Sequence, residues 1–375
     1  MRLRALSLFL TVTALLLGSS VTATADLGHP GEPDVVVASA TAPRGTWFPT
    51  VERLRDGTLV VLYYDATSHT GPDGRIAMTR SRDGGRTWST PTVAIDSAAD
   101  DRDPSLVALS DGTLLMNFFK TDWSTKPLPT PGGVWTSRSR DGGRTWSDPA
   151  RVYSGVYGVG DWQIPPVGYA TPWIATSAKV LELPDRSLLL PLYGNTPTDA
   201  APSITVLRST DGGRTWPTRL ETPVAEHPAG NAFHEPALEL RGDGTVQLAI
   251  RTNNVGYWSS SRDSGRTWAP ATPTGEYWEQ ASDVLAVREG GRRVLLQTWG
   301  DRSGAFGPGR PTVGRVITPD GVRHAPKVIY TRGHGDESYP STVQVGPGTF
   351  FTVYYDAPRK IIGGTYSRLR DYLEP

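Results

Sequence analysis

Ser81-Arg-Asp-Gly-Gly-Arg-Thr-Trp88 returns as Ser139–Trp146, as Ser209–Trp216 with Thr at its second position, and as Ser261–Trp268 with Ser264 for the first glycine. Four copies of S-x-D-x-G-x-T-W make an internal repeat, and its spelling has a physical reason. The Asp carboxylate accepts backbone N–H bonds, Gly takes positive φ, Thr starts the next strand and Trp packs under the turn.

A second repeat reads as strand, tight turn, strand. It runs TVERLRDGTLVVLYYD (50–65), SLVALSDGTLLMNFFK (105–120), KVLELPDRSLLLPLYG (179–194), ALELRGDGTVQLAIRT (237–252), VLAVREGGRRVLLQTW (284–299) and TVQVGPGTFFTVYYD (342–356). Each copy is a β-hairpin of β-branched or apolar residues in alternation around its turn. The octapeptide follows each of the first four; after the fifth, Thr318-Pro-Asp-Gly321 looks like an eroded copy. A hairpin plus an octapeptide hairpin gives about four strands per period of 47 to 74 residues, the size of one propeller blade. The expectation is an all-β, six-bladed β-propeller with four-stranded antiparallel blades. A β-solenoid, the other repeat architecture, would show shorter and more uniform periods.

Composition agrees. Gly 41, Pro 32 and Trp 12, with little helical periodicity, describe many strands and tight turns. Lys+Arg and Asp+Glu both total 38, so no overall charge draws the chain to nucleic acid or an anionic membrane. Arg2 and Arg4, the apolar run from Ala5 to Leu17 and Ala23-x-Ala25 read as a secretory signal over residues 1–25, which leaves 26–375 as one propeller domain beginning at Asp26. The apolar run is too short to span a bilayer comfortably. A secreted, extracellular protein is expected, monomeric and without a membrane span. With no cysteine, it must be held by core burial instead of disulfides.

The octapeptides are Asp-boxes, and with the six hairpins they resemble the sialidase/neuraminidase superfamily over nearly the whole expected mature chain. The resemblance is specific for fold and less so for substrate, because Asp-boxes also occur in lyases, other glycosidases and non-enzymatic propellers. It implies a secreted exo-glycosidase that releases a terminal, acidic sugar from a glycan, without a cofactor. In a propeller the residues just before each inner strand converge on one face. Those are Arg44 to Pro49, Asp100 to Pro104, Trp173 to Ser177, Asn231 to Pro236, Glu276 to Asp283 and Asp336 to Tyr339. Carboxylates and aromatics are dense there, as a sugar site requires; the bland alternative is a rim of solvated acids.

The resemblance implies roles residue by residue. Tyr339 in Glu337-Ser-Tyr-Pro-Ser341 matches the family's nucleophile, a neutral hydroxyl that an anionic substrate does not repel, and Glu235 in Phe233-His-Glu-Pro236 matches its base. His234 beside it and Trp47 join the pocket residues. Of three arginines that clamp the substrate carboxylate, Arg251 matches the second and Arg310, ahead of Arg302, is the candidate for the third. The first departs from the pattern: Thr46-Trp-Phe-Pro49 puts Trp47 where arginine should stand, with Arg44 the nearest substitute. Asp356 matches the acid that braces that arginine. The acid/base falls in the loop Asp65–Gly74, where His69 and Asp73 are equal candidates, Asp73 also suiting a turn. Asp103 in Asp-Pro-Ser105 sits in the pocket floor, and Arg102 either contacts an acidic sugar or neutralises the acids around it. The long loop from Tyr153 to Ile174 carries Trp162, Tyr169 and Trp173, rings that stack on sugars or pack under the loop. No metal-binding His/Cys spacing, phosphate loop or nucleophile elbow is present in the sequence.

Overall fold

The computed structural model describes residue 27 and residues 30–122, 130–157, 173–196, 199–225, 232–275 and 277–374. The expected signal, the start at Asp26, the loop aromatics Trp162 and Tyr169, and the mouth residues Asn231 and Glu276 lie outside the described residues.

Six antiparallel sheets form a propeller. Strand β1 (Val35–Ser39) stands apart in the chain; it pairs with the third strand of the last blade and closes the ring. Blade one is β2 (Gly45–Arg53), β3 (Leu59–Ala66), β4 (Arg75–Ser81) and β5 (Thr92–Ile95), and blade two is β6 (Asp100–Ala108), β7 (Leu114–Asp122), β8 (Thr130–Ser139) and β9 (Ala150–Val152). Blade three splits its inner strand into β10 (Trp173–Ala175) and β11 (Leu181–Glu182), both against β12 (Leu188–Thr196), with β13 (Asp199–Ser209) and β14 (Glu221–Ala225) outside. Blade four is β15 (His234–Leu240), β16 (Val246–Arg251), β17 (Tyr257–Ser261) and β18 (Thr272–Pro273); blade five is β19 (Glu279–Glu289), β20 (Arg292–Asp301), β21 (Thr312–Ile317) and β22 (Lys327–Tyr330). Blade six is β23 (Glu337–Gly346), β24 (Thr349–Asp356), β25 (Ile361–Arg368) and β1. No helix among the described residues is long and apolar enough to cross a membrane.

All six sequence hairpins are the two innermost strands of a blade. The second strand of each is buried on both faces, because each blade lies between two others; every residue of β3 is buried. This is why Leu-Val-Val-Leu-Tyr-Tyr shows less alternation than a sheet with one wet face would.

The Asp-boxes turn the third strand into the outer one. In the first, Asp83 Oδ1 accepts the amides of Arg86 (3.0 Å) and Thr87 (2.9 Å), and Trp88 Nε1 donates to Gly85 O at 2.9 Å. The Thr145 hydroxyl and amide hold the Asp141 carboxyl of the second box below its usual range, as the equivalent bonds do for Asp263. Each box also reaches the preceding blade. A Cβ on Gly85 would lie 3.3 Å from the ring of Phe351 in blade six, so the box needs glycine both for φ of +97° and for this approach. The eroded copy forms a smaller turn in the same place, with Thr318 N donating to Val322 O at 2.9 Å.

Phe351 is fully buried at the ring closure, stacked on Trp88 at 5.9 Å and tilted against Tyr366 at 4.8 Å. Phe351→Ala is expected to cost about 3–5 kcal/mol in urea unfolding; a loss below about 1 kcal/mol would mean that closure does not depend on this contact.

Near the axis, the inner strands share one irregularity. Pairing slips between Trp47 and Thr50, Arg102 and Ser105, His234 and Ala237, Gln280 and Asp283, and Ser338 and Ser341. In each slip a non-glycine residue takes left-handed φ: Phe48 (47°), Asp103 (47°), Glu235 (44°), Ala281 (49°) and Tyr339 (54°), the last beside Ser338, which is also at positive φ (99°). Each such conformation costs on the order of 1–3 kcal/mol, and a bulge re-aims the side chain it carries. Phe48, Asp103, Ser177, Glu235, Ala281 and Tyr339, one from each blade, line a single axial cavity of about 40 Å³. In five of the six blades the strain therefore turns one residue toward the hub; Ser177 of blade three reaches it without a left-handed conformation.

Candidate active site at the hub

Tyr339 is the centre of this convergence. Its hydroxyl donates to Glu235 Oε1 at 2.7 Å and accepts from Arg251 Nη1 at 2.8 Å; the same Nη1 also bonds Glu235 Oε1. Local structure explains the grouping. His234 pairs with Arg251 in register across β15 and β16, so the bulge that turns Glu235 inward sets it beside the arginine at the end of the next strand. The blade-six bulge delivers Tyr339 from 104 residues further along.

Electrostatics fixes the resting protonation. Burial pushes the Tyr339 hydroxyl well above its usual value, with Arg251 opposing and Glu235 adding to the rise. Burial would also raise Glu235, but the Arg251 charge and hydrogen bond outweigh it and hold this carboxyl below its ordinary value. The trio is thus neutral phenol, carboxylate and guanidinium. Glu235 Oε2 and Arg251 Nε are buried and make no hydrogen bond among the described residues.

Arg310 joins from the other side. Its guanidinium lies 4.8 Å over the Tyr339 ring, Nε donates to Glu337 O at 2.7 Å, and Nη2 donates to the Tyr355 hydroxyl. Arg302 donates to Gly335 O at 2.9 Å on the exposed rim. Arg102 is buried, 3.5 Å from Asp100 and 3.7 Å from Asp103, with its guanidinium 5.0 Å over Tyr64 and 5.5 Å over Phe48. Asp101, the remaining acid of that run, pairs with Lys120 at 3.2 Å. Burial pushes Asp103 up to about 7, against the pull of Arg102 and helped by Glu235.

The two acid/base candidates part company. Asp73 Oδ1 accepts the Thr67 amide (3.2 Å) and hydroxyl (3.0 Å), and its Oδ2 takes Arg44 at 3.2 Å. Arg44 is further held by Asp65 Oδ1 at 2.6 Å. These two residues stitch the loop together, and no contact among the described residues joins either to Tyr339, Glu235 or Arg251. His69 instead lies over the site, 5.1 Å from the Phe48 ring and 6.4 Å from Tyr355, with Nδ1 3.8 Å from Asp336 Oδ1. Burial lowers its imidazole to about 4; Asp336 resists this, while Arg102 and Arg310 add to it.

Trp47 stands parallel to His69 within 9°, centroids 6.3 Å apart, and its Nε1 donates to Asp336 Oδ2 at 3.4 Å. A Cβ on Gly45 would come within 2.5 Å of the indole, so the glycine lets Trp47 fold back over its own strand. His234 meets Tyr193 edge to face at 5.9 Å, and Tyr193 meets Trp173 at 5.6 Å, a ladder of rings on the blade three side. Asp356 is fully buried and accepts the Tyr330 hydroxyl at 2.5 Å and the Arg359 amide at 3.1 Å, with His334 Nε2 at 3.3 Å. Its oxygens hold the blade-six turn together.

Two residues of this site have no role in the sequence reading. Asp336 lies in a stretch marked as channel mouth, yet only the structure shows it shared by Trp47, His69 and Tyr355. Tyr355 looks like one more strand residue in Val353-Tyr-Tyr-Asp356. Strand alternation is the signal that separates it: Tyr354 stacks on Tyr330 at 4.3 Å, while Tyr355 faces the hub.

The family model described as a BNR repeat-like domain matches residues 102–352. No curated protein matches the chain. Among solved structures, a Dyadobacter fermentans protein of unknown function superposes with a TM-score of 0.73 at 21% identity, covering 89% of this chain and 97% of that one. A leech intramolecular trans-sialidase gives 0.68 at 14% identity over 91% and 70% of the two chains. The intramolecular trans-sialidase of Ruminococcus gnavus gives 0.67 at 14% over 93% and 99%. At these identities the likeness is one of fold; the matched domain, which spans more than half of the chain, shows that the chain belongs to the BNR repeat-like domain family.

Proposed function

We propose that this protein is an exported, retaining exo-glycosidase that removes a terminal acidic sugar of the sialic acid type from a glycan. The observation that carries the reading is the hydrogen-bonded trio of Tyr339, Glu235 and Arg251 at the hub. A phenol bonded to a buried carboxylate is an activated nucleophile, and it carries no charge to repel an anionic sugar.

In the first step the Tyr339 oxygen bonds to the anomeric carbon and its proton passes to Glu235. The glycosidic C–O bond breaks, and His69 gives its proton to the departing oxygen. In the second, His69 takes a proton from water, the water oxygen attacks the same carbon, the bond to Tyr339 breaks and Glu235 returns the proton. Arg251 and Arg310 hold the substrate carboxylate and spread the phenolate charge. Trp47, where the resemblance calls for the first of three arginines, favours a second reading: the same chemistry on an acidic sugar whose carboxylate needs only two guanidiniums.

The test is turnover of an aryl α-sialoside followed by proton NMR. Release of the α-anomer first is expected. Absence of turnover, release of the β-anomer, or a product with an ultraviolet-absorbing double bond would overturn the reading. The rate should also peak in acid. With His69 near 4 and Glu235 below its ordinary value, kcat/KM falls above about pH 4–5 as His69 loses its proton and falls again where Glu235 gains one. A plateau reaching pH 7 would assign the acid elsewhere.

A further inference from the structure

We propose that Asp336 and Trp47 are positioning residues for His69, so that a histidine–carboxylate dyad, backed by a stacked indole, moves the proton at the leaving oxygen. The inference rests on the glycosidase reading above and adds to it the machinery behind the acid/base.

Asp336 is fixed from two elements. Its Oδ1 accepts the Tyr355 hydroxyl of β24 at 2.9 Å, and its Oδ2 accepts Trp47 Nε1 of β2 at 3.4 Å. The Tyr355 hydroxyl is itself held by Arg310, so the carboxylate stands at the end of a short chain anchored in the substrate clamp. What Asp336 then faces is His69 Nδ1, at 3.8 Å. This is an ion-pair distance; catalytic hydrogen bonds of ligand-free enzymes are often long and tighten when substrate arrives.

A carboxylate beside Nδ1 keeps the proton of the neutral ring on that nitrogen and leaves Nε2 to exchange protons with substrate. The Trp47 ring, parallel to the imidazole, sets the plane in which Nε2 lies. Four charged groups act on His69: Asp336 and Glu235 favour its protonated form, while Arg102 and Arg310 oppose it. Asp336 is the nearest anion, so its charge matters most.

This gives Trp47 a physical reason. An arginine at position 47 would pair with Asp336 and withdraw that anion from His69. Tryptophan offers one weak N–H to Asp336 and a flat face to the imidazole.

The experiment compares two sialosides, one with a nitrophenyl leaving group and one linked to lactose. His69→Gln is expected to keep kcat/KM on the aryl sialoside within about tenfold and to lose about 10²–10⁴-fold in kcat/KM on the lactoside, since kcat/KM reports the first step, where only the poor leaving group needs a proton, while the water step common to both substrates shows in kcat. Asp336→Asn should show a smaller selective loss, about tenfold, and move the alkaline limb of the pH profile to lower pH. Tyr339→Phe should lose both substrates alike. Equal losses in His69→Gln, or an Asp336→Asn profile that overlays the wild type, would overturn the dyad.

A second measurement does not depend on turnover. The His69 imidazole, identified by the NMR signal missing from His69→Gln, should titrate at lower pH in Asp336→Asn and in Trp47→Arg than in the wild type. An unchanged midpoint in Asp336→Asn overturns the dyad. A shifted midpoint in a protein that cleaves no sialoside supports the dyad and overturns the substrate reading instead.

Discussion

Tyr339→Phe is expected to lower kcat on an aryl sialoside by about 10⁴-fold or more, the scale seen when a nucleophile is removed from a group of residues acting as a unit. Only one oxygen is lost. Phe keeps the ring that packs 4.9 Å from Phe48 and 5.8 Å from Tyr355, and Glu235 keeps its bond to Arg251. The missing hydrogen bonds should cost stability only about 1 kcal/mol each, which thermal unfolding would register as a shift of a few degrees. Affinity for a 2,3-unsaturated sialic acid, which cannot react, should stay within about tenfold of wild type. Glu235→Gln should fall almost as far in kcat, because an amide cannot take the phenol proton. If Tyr339→Phe retained a tenth of the wild-type rate, the nucleophile would have to be another group or water, and the retaining mechanism would fail with it.

The ring was legible because its signals are local and repeated. Glycine and aspartate in a box, or β-branched runs about a turn, state their conformation within eight to sixteen residues, and six repetitions fix the architecture. Ring closure left almost no trace. Val35–Ser39 is a short strand like many others, and its pairing with Ile361–Gly364 depends on a partner more than 320 residues away.

The hub was half legible for the same reason. Phe48-Pro49, Asp103-Pro104, Glu235-Pro236 and Tyr339-Pro340 each begin two or three residues before their hairpins, and the residue before each proline is a left-handed bulge residue aimed at the axis. The blade-five counterpart, Ala281-Ser282, has no proline and was lost in the broader stretch up to Asp283. The choice between His69 and Asp73 could not be made from sequence, because both lie in one loop. What separates them is Arg44, whose bonds to Asp65 and Asp73 turn that carboxylate into a loop fastening. Asp336 escaped because its meaning comes from three partners on β2, β24 and the loop after β3, none near it in the chain.

Arg251→Met is the sharpest probe of how the site holds its charge. Arg251 and Glu235 are both largely buried, and removing one member of such a pair strands the other as an unpaired charge, at a cost of about 3–5 kcal/mol. In the wild type, Arg251 keeps Glu235 below its unfolded value, so the pair contributes stability that is present above about pH 4.5 and lost as pH falls through the folded value. Without Arg251 burial is opposed only by the Tyr339 hydrogen bond and by His234, so Glu235 rises from its wild-type value and the variant loses the stability that the pair contributes above about pH 4.5. The difference between the two proteins in urea unfolding must therefore be large at pH 7 and shrink toward pH 4. Catalysis should follow the same carboxyl. The acid limb of kcat/KM moves to higher pH because the base is protonated there, and the rate at the optimum drops by about 10²–10³-fold, the cost of one donor to developing charge. An equal stability loss at pH 4 and pH 7 would mean that Glu235 is not governed by Arg251. The phenol would then have no carboxylate waiting for its proton at working pH, and the trio would be a packing arrangement instead of a nucleophile and its base.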